Sequence, residues 1–412
     1  MAQTEPENVE VLVFDNASTV PAVEALAGLD GIDRVRIVRV EEALPMRDSW
    51  ETALSLATGD FVTILGDDDA LVPNAAKIAR ELVAVHKVDL LRWDRAHYIW
   101  PGNIDEKTNN TCKIPLGRTA YKVDGHKVLR ELGRMTSTFA VMPMIYNSWV
   151  SADLIASIKG KHGRIFHSAL PDVDSGFAFA FLGRWYLSLN FPLGICGQSP
   201  KSNGAQAHAM NRMQSNQKID LDAINDFNTL NSAAQIIKAD NQVIPLWELI
   251  TQAYKTMAER LNIPDSVFKL DERRVIQRII AEELPRMPME KRRAYLERIS
   301  HEDNSFKFTS QEKMAVERSL NEDKVRKASP PNQGFDPFEQ ILTINCDVVG
   351  IHDSASLVVL IDKLLGLQSI TKSILFDVHP KGWVKKAKDM AYRVIKMGDS
   401  DLSHSKCRNN SI

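Results

Sequence analysis

PheValThrIleLeuGlyAspAspAspAlaLeuValPro, residues 61–73, decides how this chain is read. A short apolar run (61–65) ends at Gly66, three aspartates follow, and Pro73 opens the next helix. Three successive carboxylates at the end of a strand repel one another unless something neutralises them. A hard divalent cation such as Mg²⁺ or Mn²⁺, which prefers oxygen ligands, does this well. Ligands in open α/β sheets also gather outside the carboxyl ends of strands. The plain alternative is a solvated acidic turn that caps the following helix.

Upstream, 9–14 and 34–40 read as strands and 19–28 as a helix between them. Residues 48–58 pattern as an amphipathic helix, with Asp48 and Ser49 as cap candidates and Gly59 as its stop. Downstream, a helix follows Pro73 and a strand spans 88–93. Strands alternating with helices argue for a parallel sheet covered by helices. Residues 100–135 read as polar and loop-rich; Ser151 caps a short helix, 171–183 form another, and 185–195 a closing strand. Beyond about 215 the texture is helical and charged, 325–334 reads as a linker, and a strand (340–349) and helix (354–366) follow.

Composition bounds the functional classes. The 412 residues suggest two to three domains, and 44% apolar with 25% charged residues fits an ordered chain. With 51 Lys+Arg against 53 Asp+Glu, the net charge of -2 excludes a globally basic nucleic-acid coat. The cysteines at 112, 196, 346 and 407 share no CxxC spacing, so reduced thiols in a cytoplasmic setting are expected. The opening residues lack the apolar run of a leader. The longest apolar stretch, 177–196, is interrupted by Arg184, Asn190 and Pro192 and reads as a buried helix and strand.

Three segments together resemble the inverting family 2 glycosyltransferases of the GT-A fold: Asp15 to Thr19 at the end of a strand, Ala57 to Asp60 at the end of a helix, and the Asp-x-Asp of Asp67 to Asp69. The resemblance covers about residues 9–205. It implies a Rossmann-like mixed sheet with helices on both faces over 1–212; the texture beyond it reads as a helical region (213–324) and a small α/β or helical C-terminal region (335–412). It implies a nucleotide-sugar donor and a saccharide, lipid-linked or other hydroxyl acceptor, with no nucleic-acid partner. Asp15 would contact the base or ribose, Arg47, Asp48 and Asp68 would line the donor pocket, and Asp67 and Asp69 would hold Mn²⁺ or Mg²⁺. Lys201 would neutralise phosphate and His208 would complete the metal shell. Asp172 would be the acceptor base, with Asp174 as the fallback. Several have plain readings too: Arg47 and Asp48 as a helix start, Asp172 and Asp174 as helix-dipole partners, and Lys201, His208 and His167 as surface groups.

In the resembled family a strand and helix precede the segment matching Asp15, whereas here that strand begins at residue 9. The expectation is either a start further upstream or a lost first βα unit. That supports an alternative: a catalytically impaired, glycosyltransferase-like binding or scaffold protein. A haloacid-dehalogenase reading of PheAspAsnAlaSerThr (14–19) fails because Ala17 stands where a second carboxylate is needed. Residues 383–397 read as a basic amphipathic helix. It would either pack on its own domain or rest on an anionic inner membrane face. Oligomeric state is left open.

Overall fold

The computed structural model describes residues 8–102, 108–200, 202, 245–302, 308–321, 332–366 and 378–379. The apolar run 11–14 forms β1 (Val11–Asp15), which reaches β2 (Val35–Arg39) through α1 (Ala22–Ala25) and pairs with it in parallel. The helix expected over 19–28 shrinks to α1 because Gly28 and Gly31 both adopt positive φ, which ends helical propagation. Next comes α2 (Met46–Leu56), which starts behind Pro45, so Asp48 lies in its first turn and is not its cap. Proline's fixed φ prepares that start.

Of the strand expected over 61–65, only β3 (Phe61–Val62) pairs in a ladder. The Thr63 hydroxyl and the Ile64 N–H instead donate to the Ile145 carbonyl, at 2.8 and 3.3 Å. After the aspartates come β4 (Ala70–Leu71), α3 (Ala75–His86), β5 (Leu90–Trp93) and β6 (Ala96–Ile99). The region read as loop-rich holds β7 (Thr111–Pro115), β8 (Ala120–Asp124) and α4 (Gly125–Gly133), the last capped by Asp124. Ser151 ends β9 (Ser148–Ser151) and caps α5 (Ala152–His162) as expected, its hydroxyl accepting from the Leu154 N–H. The helix expected over 171–183 is α6 (Pro171–Ala178) continued by a π-helical turn at Phe179–Gly183. The single closing strand expected over 185–195 is two, β10 (Trp185–Leu189) and β11 (Gly194–Gln198). Asn190 and Pro192 lie in the break, where Asn190 bonds Thr119 through both backbone and side chain.

The pairing is mixed, not all parallel. β10 runs parallel to β5 but antiparallel to β8, and β9 lies antiparallel between β5 and β3. A second sheet pairs β11 parallel to β6 and antiparallel to β4, with β7 antiparallel to β6. Strand alternation divides the apolar side chains between two cores. Leu90 and Tyr186 face one, which is covered by α4, α5 and α6, while Leu91, Trp93, Leu187 and Leu189 face the other, with α3. Among the described residues β1 and β2 pair only with each other, and β3 ends its sheet.

The C-terminal half packs onto this framework. α7 (Leu246–Arg260), α8 (Glu272–Arg278), α9 (Met289–Glu302) and α10 (Ser310–Asn321) form the helical region. Tyr254 of α7 lies 5.3 Å from the Phe177 ring of α6, and Phe268 lies 4.8 Å from it, so the helices buttress α6. β12 (Gly334–Asp336) and β13 (Ile341–Asn345) extend the second sheet through β7, and α11 (Ser354–Leu365) covers that sheet. β14 (Val378–His379) adds to β8. Strand–helix alternation thus yields an α/β fold with a mainly helical C-terminal region, as expected. No described helix is long and apolar enough to cross a membrane, and residues 383–397 lie outside the described residues.

Candidate active site

The acidic turn is folded around its own carboxylates. The Gly66 N–H donates to Asp69 Oδ2 at 2.9 Å, and the Asp69 N–H returns to the Gly66 carbonyl at 3.2 Å. The Gly197 N–H of β11 donates to Asp69 Oδ1 at 2.9 Å, and the Ser199 N–H, just past the strand, to Asp68 Oδ2 at 3.1 Å. The β4–β11 ladder begins at the next residue, where Ala70 pairs with Ile195. A distant strand therefore serves as the template for the turn, while Asp67 stays exposed.

Burial pushes the Asp68 carboxyl up and lifts Asp69 to about 6, against the backbone donors that favour ionisation. None of the three carboxylates has an ion-pair partner among the described residues. Arg95 acts electrostatically on Asp69 from within the fold. No group of three or more His, Cys, Asp or Glu able to cage a metal occurs among the described residues. Magnesium sites commonly use one or two carboxylates together with substrate phosphates. Asp67 and Asp69 fit that smaller donor set.

The two aspartates of α6 are separated by their surroundings. Asp174 is wholly buried, and its Oδ2 accepts from the His167 and Ser168 N–H groups at 2.6 and 2.5 Å. Its Oδ1 takes the Ser168 hydroxyl at 2.7 Å. Asp172 is half-buried, and its backbone carbonyl accepts the Ser175 hydroxyl at 2.8 Å, while the Val173 N–H acts on its carboxyl. Burial raises both carboxyls, Asp174 to about 7. Asp174 fastens the loop entering α6 through both its oxygens.

Removing the Asp174 fastener strands three donors. Asp174→Ala is expected to lower unfolding free energy by about 3–5 kcal/mol in denaturant titration. The pH dependence has a definite sign. With its folded pKa above the unfolded value of roughly 4, Asp174 contributes stability that is full at acid pH and lost as pH rises through about 7.

The other expected residues fall in three places. Asp15 is buried and bound locally by the Ala22 and Ser18 N–H groups at 2.9 and 2.8 Å, and by Arg39 at 2.5 Å. These partners hold its carboxyl well below the usual range, and none belongs to the acidic turn. Arg47 and Asp48 meet the loop before α6: Arg47 donates to the His167 carbonyl at 3.3 Å, and Asp48 takes Arg164 at 2.6 Å. Glu51 joins them by accepting the Ile165 and Phe166 N–H groups. Lys201 and His208 lie outside the described residues.

One residue at the centre carries no signal in the sequence. Arg95, between β5 and β6, donates to the Tyr146 hydroxyl, and its Nη1 lies 3.9 Å from Cys196 Sγ. Its guanidinium carbon stands 4.8 Å from the Tyr146 ring centre. The burial that disfavours its charge is outweighed by the surrounding groups, among them Asp172 and Asp69. Alternation could not find it, because β5 ends at Trp93 and the chain turns before β6.

This arrangement sits astride a recognised sequence segment. Residues 1–142 match the family model described as Glycosyl transferase family 2. That segment, about a third of the chain, is therefore similar to family 2 glycosyltransferases. None of the curated proteins matches the chain. Among solved structures, S. aureus TarS 1-349 in complex with UDP is similar at 16% identity. That match covers 71% of this chain and 76% of that one, with a TM-score of 0.34. TarS 1-349 in complex with UDP-GlcNAc gives 16% identity, 71% and 77% coverage, and a TM-score of 0.36. S. aureus TarS gives 14% identity, 74% and 50% coverage, and a TM-score of 0.37.

Proposed function

We propose that this chain transfers a sugar from a nucleoside-diphosphate donor to an acceptor hydroxyl with inversion at the anomeric carbon. The observation that carries the reading is that one buried guanidinium, Arg95, acts on both Asp69 of the acidic turn and the half-buried Asp172 of α6. In this reading Asp172 takes the acceptor hydroxyl proton, the acceptor oxygen bonds to the anomeric carbon, and the bond to the diphosphate oxygen breaks. A single displacement of that kind inverts the centre. A Mg²⁺ or Mn²⁺ ion bound at Asp67 and Asp69 would neutralise charge on the departing diphosphate. Asp68 would stay with the donor side of the turn, and Lys201 and His208 keep their proposed phosphate and metal roles. The acceptor is a saccharide, a lipid-linked species or another hydroxyl compound, reached on the cytoplasmic side.

Calorimetry with UDP-, GDP- and dTDP-sugars in Mn²⁺ tests this. One donor is expected to bind only with metal, and Asp69→Ala is expected to weaken that binding at least about tenfold. Binding that ignores both metal and substitution would refute the reading.

A specific observation favours a second reading, that of an impaired binding protein. Asp15 is bonded by Ser18, Ala22 and Arg39, and among the described residues the β1–β2 ribbon is not laddered to the sheet that holds β3. Metal-dependent donor binding with no release of nucleoside diphosphate over hours would select it.

A further inference from the structure

We propose that Arg95 is a positioning residue that ties the acidic turn to the acceptor base, fixing the strand behind Asp69 on one side and the helix bearing Asp172 on the other. This role rests on the transferase reading above for its kinetic consequence, though not for its structural one.

The two arms can be followed bond by bond. On the donor side, Arg95 Nη1 lies 3.9 Å from Cys196 Sγ, and the next residue, Gly197, gives its N–H to Asp69 Oδ1 at 2.9 Å. On the acceptor side, Arg95 donates to the Tyr146 hydroxyl and lies over its ring. The neighbouring Ile145 N–H donates to Ser175 Oγ at 3.2 Å, and that hydroxyl donates to the Asp172 carbonyl at 2.8 Å. The donor arm thus ends on the Asp69 carboxylate, and the acceptor arm, through Tyr146 and Ser175, ends on the Asp172 backbone carbonyl.

Charge supports the same role. Burial lifts the Tyr146 hydroxyl far above its ordinary range and the Cys196 thiol to about 11, so both are neutral at pH 7. The carboxylates that act on the guanidinium are Asp172 and Asp69. Arg92 cannot substitute, because it is committed to Asp94 at 2.6 Å, Ser188 at 2.9 Å and the Ala140 carbonyl at 2.9 Å. A planar fork that stacks on Tyr146 is also poorly replaced by lysine's point charge.

Two measurements test the tie. In the first, Arg95→Met and Arg95→Lys are compared for donor affinity in Mn²⁺ and for the rate of nucleoside-diphosphate release. Arg95→Met is expected to lower kcat about 10²-fold with donor Kd within about threefold, since misplacement acts on the chemical step. Arg95→Lys is expected to recover about tenfold of that loss, because it restores charge without the fork. In the second, a double-mutant cycle of Arg95→Met with Asp172→Asn is read in the unfolding equilibrium. A coupling of roughly fivefold or more is expected. The proposal is overturned if the coupling stays within twofold, or if donor affinity falls in step with kcat/KM. Coupling in a chain that binds no nucleotide sugar would uphold the tie and refute the transferase reading instead.

Discussion

Asp172→Asn is expected to lower kcat by about 10²–10⁴-fold while Mn²⁺-dependent donor binding stays within about threefold of wild type. The amide matches the carboxylate in size but cannot take a proton from the acceptor. The fold should tolerate it, since the amide can still accept from the Val173 N–H and the backbone carbonyl keeps its bond from Ser175. Burial raises the Asp172 carboxyl, while the Val173 N–H and Arg95 oppose that rise. The acid limb of the wild-type kcat profile should therefore lie above the ordinary carboxylate range, with activity lost as pH falls through it. That limb should vanish in the asparagine variant. Near-normal turnover by Asp172→Asn would pass the role to another group. Asp174 is poorly placed to inherit it, with both oxygens held by Ser168 and His167.

The sequence disclosed what is local. Three aspartates after an apolar run, and two more opening an apolar helix, are legible because charge beside hydrophobic residues is costly wherever the chain goes. The Ser151 cap is legible for a similar reason, since the hydroxyl acts within three residues. What stayed hidden depends on distant partners. β7 reads as loop because ThrCysLysIlePro is short and mixed, and its ladder with β13 joins residues more than two hundred positions apart. Arg92 and Arg95 look interchangeable in ArgTrpAspArg, yet one turns to Asp94 and Ser188 and the other to Tyr146. Asp15 was legible as a strand-end acid, but its bond to Arg39 was not, because that residue arrives from β2. Motif spacing reports which residues lie near one another in the chain, and side-chain commitment is settled by packing.

Gly197→Ala is expected to disrupt the acidic turn from a position that no acidic motif identifies. A Cβ on Gly197 would lie 1.9 Å from the Asp68 carbonyl oxygen, 2.6 Å from its carbonyl carbon and 3.0 Å from Trp100 Nε1. The first two are backbone atoms, so a side-chain rotation cannot relieve the clash, and β11 must move away from the turn. That movement breaks the Gly197 bond to Asp69 and the Ser199 bond to Asp68 together. A cost of about 2–4 kcal/mol in unfolding free energy is expected, with metal-dependent donor binding weakened at least about tenfold. Gly160→Ala is the matched control, because a Cβ there meets nothing within 4 Å on the exposed side of α5. That substitution should instead stabilise by about 0.5–1 kcal/mol through the helix interior. If Gly197→Ala binds donor like wild type and unfolds at the same denaturant concentration, β11 is not the template of the turn. Opposite signs at the two glycines would instead show that close backbone approach at β11 sets the geometry in which Asp67 to Asp69 meet a ligand.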